Sequence, residues 1–404
     1  MPCKVFGAAV AAHFEAIAAI YILLETPLGT VVSAGVVQGE IFLDNGSIMP
    51  LPKDLGSEAV HRIAKLWQVD GNRVVWTEQG FDWWPGSFRV SVKSQKHHDD
   101  HEKTWRLIVR TDFLKDVPVK DYECRKTISM MSSFAPSYAW VFTPPEVQEK
   151  YEMTADGTLA FQSTVFLRED TAGWLPEFFG RMSILQPIQA AAQSDTTAKL
   201  LNGQINFSLP TENASSEYTD EMLDVASEIY VPAGREDSRW KGAEEFEEVA
   251  NEFGRQDRCF GMGDSTGLTL ETPIGTSSAL IRLRTDIPHP GLGNGLLSSV
   301  QLPFRQDETK TVEDVMWFNF FQSISWTDVP QLGSWHSREV ASGQYSVASG
   351  TFYPNALYMR GMATNAALWK LGLAWWIKKQ FHADLVDLTM AQILEQRLGN
   401  LHPT

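Results

Sequence analysis

The chain of 404 residues sets 34 Lys and Arg against 50 Asp and Glu, a formal net charge of −16, and no basic run interrupts it. Such a surface repels phosphate backbones, which excludes duplex and single-stranded nucleic acid as partners. A hydrophobic content of 43% and a charged content of 21% are those of a globular protein, and three scattered cysteines, Cys3, Cys124 and Cys259, exclude a disulfide framework and suit a reducing cytosol.

Val5 to Leu24 is long enough to span a bilayer, but His13 and Glu15 sit in its middle and much of the rest is Ala. A central charge costs roughly 3 kcal/mol on insertion scales, so a buried or partner-covered helix is the expectation, with membrane attachment through residues 5–24 and a signal peptide as the alternatives. Residues 1–50 form this helix and a Val- and Gly-rich strand extension. The first module, 51–205, opens with an amphipathic helix that Ser57 caps and that carries Val60, Ile63, Ala64, Leu66 and Trp67 on one stripe. Two strands follow, Arg73 to Trp84 and Ser87 to Val92, around a turn at Trp84-Pro85-Gly86-Ser87. After them come the strand ending in RLIVRTD, a weak helix at Asp121 to Ser132, two more strands, and a long helix from Leu175 to Leu201 that Pro187 breaks.

Residues 206–238 are an acidic linker; from 212 to 257 there are 14 acidic and 4 basic residues. The second module, 239–404, repeats the order: a helix at Lys241 to Gln256, strands at Gly267 to Thr272, Ala279 to Thr285 and Gly295 to Pro303, then a helix at Val312 to Ile324. Strands at Trp335 to Val340 and Gln344 to Tyr353, a closing helix at Leu357 to Phe381 and an added terminal helix at Leu385 to Leu398 complete it. LIRLRTD at Leu280 to Asp286 echoes RLIVRTD at Arg106 to Asp112, which reads as one module used twice. The predicted class is α+β, two tandem modules, each an antiparallel sheet with helices packed on one side in the order α-β-β-β-α-β-β-α.

Candidate chemistry is sparse. His97, His98 and His101, with Asp99, Asp100 and Glu102, offer imidazole and carboxylate donors for a divalent metal, although adjacent loop residues diverge. Asp286 and His289 make an acid–base pair conceivable, and the GLGNG run after them lacks the Lys-Ser/Thr and the helix start of a phosphate loop. Asp112 and Asp286 are read as groups that hydrogen-bond the turn after a strand. Trp83 and Trp84 are candidates for a hydrophobic binding surface, and the remaining aromatic clusters are read as buried between layers. No cofactor is expected.

This element order, with the acidic isoelectric point, resembles the type III secretion chaperone-like superfamily. The resemblance covers about residues 57–382 and implies small α+β modules that pair, whose strands offer a surface to a client segment, and which have no catalytic residues. Here the pairing would be internal. The expectation is therefore a non-enzymatic, cytoplasmic protein that binds another protein or peptide segment, with self-association of the chain open. The alternative is a metal-dependent or acid–base enzyme that uses the His97–Glu102 loop or His289.

Overall fold

The computed structural model describes residues 52–69, 73–97, 103–133, 137–143, 156–208, 240, 242–254, 260–274, 277–289, 292–303, 307–325 and 329–381, with the backbone of three short strands before them. The predicted helices at 5–24 and 385–398 and nearly all of the acidic linker lie outside the described residues. The three strands, β1 (Gly35–Val37), β2 (Glu40–Phe42) and β3 (Ile48–Pro50), form an antiparallel sheet of their own.

The first module begins with α1 (Leu55–Leu66). Its N-cap is Asp54, not Ser57: the Asp54 carboxylate accepts the Ser57 N–H at 2.8 Å, and Ser57 Oγ accepts the Asp54 N–H at 2.9 Å. Ser57 is thus the reciprocal member of a capping box three residues in, and the carboxylate also favours the positive helix end. The strands are β4 (Val74–Thr77), β5 (Gly80–Trp83), β6 (Val90–Lys96) and β7 (Trp105–Val117). The predicted strand 73–84 is therefore a hairpin with Glu78 and Gln79 as its turn. Then come α2 (Tyr122–Ser132), β8 (Ala139–Thr143), β9 (Gly157–Leu167), α3 (Leu175–Ser183), α4 (Leu185–Leu201) and β10 (Gln204–Ile205). The break falls at Ile184 because Pro187 has no N–H to give the Ser183 carbonyl and its ring crowds that group.

The second module comprises α5 (Glu245–Gly254), β11 (Phe260–Asp264), β12 (Gly267–Ile274), β13 (Ser277–Arg284), β14 (Gly295–Gln301), α6 (Glu308–Ile324), β15 (Ser334–Ala341), β16 (Gln344–Pro354) and α7 (Met362–Phe381). The first module thus holds two strands more than the five the sequence reading assigned to it, and the second one more. The fold is α+β in two modules, each with an antiparallel sheet. The strand orders are β4-β5-β6-β7-β9-β8 and β11-β12-β13-β14-β16-β15, with β10 added to β7.

The two sheets can be matched rung by rung. Both first hairpins have two-residue turns, closed by Thr77 against Gly80 and by Asp264 against Gly267. From there one rung reads Val75, Asp82, Ser91, Arg110, Gln162, Ala139 and its counterpart reads Met262, Thr269, Arg282, Ser299, Gly350, Ser334. Gly80 and Gly267 occupy one place in this frame. A Cβ on Gly80 would lie 2.0 Å from the Val92 carbonyl oxygen, and one on Gly267 would lie 2.3 Å from that of Leu283, so glycine is required at both.

One face of each sheet is the core. Phe81, Val92, Val109 and Phe161 in the first and Leu268, Leu270, Ile281, Leu283 and Val300 in the second are buried beneath helices. The modules meet reciprocally: α2 packs on α6 and β15, while α6 packs on β8 and β9. Thr164 and Gln331 exchange backbone hydrogen bonds of 3.0 and 2.8 Å across the seam.

Candidate functional site

The residues singled out from sequence do not converge. Trp83 is fully buried and stacks on Trp67 with ring centroids 5.4 Å apart; Trp84 is 7% exposed, and its indole N–H donates to Ser208 Oγ at 3.3 Å. Both hold the first module together. Asp112 lies within β7 and not at its end, since the strand runs five residues further to Val117. Its Oδ1 accepts from Arg110 Nε at 2.7 Å and its Oδ2 from Arg89 Nη2 at 3.2 Å.

Asp286 follows β13 and is paired with Arg284, an interaction that holds its carboxyl below the usual carboxylate range. It is not joined to His289, whose Nδ1 accepts the Leu292 N–H at 3.2 Å and whose ring rests 5.2 Å from that of Phe352. In both copies of the Arg-Thr-Asp echo the Asp is therefore ion-paired to the Arg two residues before it, within β7 in one case and just past the end of β13 in the other. His97 is half-buried and its N–H donates to the Thr104 carbonyl; His98, His101 and Glu102 lie outside the described residues. Among the described residues no three His, Cys, Asp or Glu side chains are grouped to hold a metal ion.

A cavity of about 70 Å³ opens at the seam, between Trp174 and Leu175 of the first module and Pro330, Leu368 and Trp369 of the second. That is about half the volume that admits a benzene-sized guest, so it suits a small side chain and not a cofactor. Two other features stand out. Among the described residues β4 and β11 are the open edges of the two sheets, and they carry exposed apolar side chains on the same rung: Val75 is 50% exposed and Met262 65%. On the far side of the second sheet, α7 buries Lys370 at 2% exposure, with Nζ donating to Thr351 Oγ1 at 2.9 Å and Ser349 Oγ at 3.3 Å. Burial pushes this ammonium down to about 7.

None of these three residues, Val75, Met262 and Lys370, was among the sequence candidates. Val75 and Met262 could be found only after strand pairing placed them on outer faces, since a lone Val or Met in a strand reads as core. Lys370 carried a signal that can be read in sequence, a charge within the otherwise apolar run ALWKLGLAWW. No protein-family model, no curated protein and no solved structure matches the chain.

Proposed function

We propose that the chain is a non-enzymatic two-module scaffold that binds an extended segment of another protein, adding it as a strand beside β4 or β11. The carrying observation is that both sheets end, among the described residues, in a short strand paired on one side only, with an apolar side chain exposed on the same rung. Unpaired N–H and C=O groups give an incoming strand its hydrogen bonds, and an exposed side chain on alternate positions gives it selectivity. On its other face β11 rests on α5, close enough that a Cβ on Gly263 would lie 2.6 Å from the Phe246 carbonyl oxygen. That backing keeps the edge pre-formed.

We further read the two modules as one unit used twice and fused. The common strand order, the paired glycines and the reciprocal seam support that reading, and they agree with the internal pairing implied by the resemblance to the type III secretion chaperone-like superfamily. A cytoplasmic location belongs to the same proposal. Among the described residues no helix is long and apolar enough to cross a membrane.

The test combines capture of the tagged chain's partner from its native host with hydrogen exchange on the complex. Slower exchange at 74–77 or 260–264, and loss of the partner on Val75→Lys plus Met262→Lys, is the expected result. A partner retained in full by that double variant would overturn the edge reading.

A further inference from the structure

We propose that the outer face of the second sheet, around Arg282 and Arg338, recognises a carboxylate-bearing extended segment of a partner protein. It rests on this face and not on the strand edges, so it stands or falls separately from the reading above.

The observation behind it is a difference between two faces that correspond rung by rung. In the first sheet Arg89 and Arg110 on the outer face each have a carboxylate, whereas Arg106 on the same face gives its N–H groups to carbonyls of α6. Arg110 and Arg89 share Asp112, and Arg89 Nη1 also lies 4.0 Å from Asp82. In the second sheet the counterpart of Asp82 is Thr269, and that of Asp112, two residues beyond Arg110, is Gln301, two beyond Ser299. The counterpart of Ser91 is Arg282. The second face has therefore lost both carboxylates together with the two arginines they serve, whose counterparts are Ser299 and Leu280, and has gained a guanidinium at Arg282.

Arg284 is served by Asp286. Among the described residues, Arg282 and Arg338 make no ion pair and no side-chain hydrogen bond, and the exposed Glu271 on this face engages neither. Burial first, then the charges of Arg338 and Arg284, hold Arg282 below the ordinary guanidinium value, so the cations face one another across the sheet.

A half-buried guanidinium with no partner is costly. It persists here in a chain with 50 acidic residues, any of which could have served it. The ligand chemistry follows from the surroundings. Arg282 lies on β13 and Arg338 on β15, with β14 and β16 between and Arg338 four residues along its strand from the rung of Arg282, so their backbones are about 20 Å apart at the usual strand spacing and rise. One carboxylate does not serve both; acids spaced along an extended chain do. Beside them on this face lie half-buried Leu280 and Leu297, with the Ser299 hydroxyl and the Gln301 amide, which favour alternating acidic and apolar side chains over a bare anion. The overall charge of −16 does not forbid this, because at physiological salt distant charges are screened beyond about 8 Å while the two guanidiniums act at contact.

The experiment uses the full chain at about 0.15 M salt and a fluorescein-labelled peptide of alternating Glu and Val, roughly ten residues long, read by fluorescence anisotropy. Binding weakened by about tenfold or more in Arg282→Gln plus Arg338→Gln is expected, as is a comparable loss when Ser replaces each Glu of the peptide. Arg89→Gln, on the corresponding neutralised face, should leave binding within about twofold. The proposal is overturned if the peptide does not bind, if the double variant binds it unchanged, or if the Ser peptide binds as well. Displacement by an equal concentration of inorganic phosphate would also overturn it, by showing a small-anion site. Circular dichroism of the double variant confirms that it is folded, so that a loss of binding belongs to the charges.

Discussion

Replacing Lys370 by Met should stabilise the protein, and the gain should depend on pH in a defined direction. The ammonium is 2% exposed, its only hydrogen-bond partners among the described residues are two neutral hydroxyls, and burial alone takes it from 10.5 to about 7. Because the folded value lies below the unfolded one, the unfolded chain binds more protons between about pH 7 and pH 10.5, and stability rises with pH across that window. Below pH 7 both states are protonated and the full penalty applies, on the order of 5 kcal/mol at 1.36 kcal/mol per tenfold. Met keeps the unbranched stem and removes the charge but forfeits two hydrogen bonds of about 1 kcal/mol each, leaving a net gain of roughly 2–3 kcal/mol at pH 7. Urea titrations of both proteins at pH 6, 7, 8, 9 and 10 measure it. The advantage of Lys370→Met should be nearly constant below pH 7 and then shrink by about 1.4 kcal/mol per pH unit. An advantage that does not change between pH 7 and 10, or a variant less stable at every pH, would refute the reasoning.

Further outcomes follow from single contacts. Arg106, 3% exposed, donates from Nη1 to the Ile324 carbonyl at 3.1 Å and from Nη2 to that of Ser323, capping α6 from the other module; Arg106→Ala should cost about 2–3 kcal/mol in urea denaturation. A cost under about 0.5 kcal/mol would mean that Gln162, which donates to the Ser323 carbonyl at 3.0 Å, suffices alone. Trp83→Ala should cost about 3–5 kcal/mol by calorimetry, whereas a surface binding residue would cost almost nothing. Gly267→Ala drives a methyl into the Leu283 carbonyl and should cost about 1–3 kcal/mol; a neutral result would mean that β12 and β13 separate at no cost. Burial pushes the Cys124 thiol up to about 12, so mass mapping after iodoacetamide treatment at pH 8 should find it alkylated only on unfolding, and labelling at a free cysteine's rate would refute that burial.

The class of fold was legible because most elements announce themselves by period. The stripe Val60, Ile63, Ala64, Trp67 and the alternation along β7 and β12 need one buried face and say which. β11 escaped because Phe-Gly-Met-Gly-Asp has neither alternation nor branched residues; pairing with β12 makes it a strand. The Arg-Thr-Asp echo was real and misplaced. It sets β7 against β13, whereas the rungs set β7 against β14, so the echo records a shared ion pair between residues two apart and not the frame in which the two sheets match. The layer under the long helices was illegible for another reason. There the Gln186 amide lies 2.9 Å from Ser163 Oγ and Lys370 bonds Ser349 and Thr351, so polar side chains are buried in mutual contact where pattern reading assigns them to solvent.

Internal pairing has a consequence that a homodimer of one module could not have. In a homodimer every residue appears at both halves of the interface and on both outer faces, so no change is private to one. Here the seam is reciprocal in its elements but not in its residues. Arg106 caps α6, and the rung that places Arg110 opposite Ser299 places Gly295 at the counterpart of Arg106, so α2 receives no guanidinium from that position. The same freedom operates on the outer faces, where Asp82 and Asp112 neutralise one sheet while Thr269 and Gln301 leave Arg282 uncovered on the other. Neither half can replace the other: a second copy of the second module would leave a helix end uncapped at the seam, and a second copy of the first would supply no uncovered guanidinium at the rung of Arg282. The asymmetry between the two modules is therefore where selectivity for the proposed partner has to be sought.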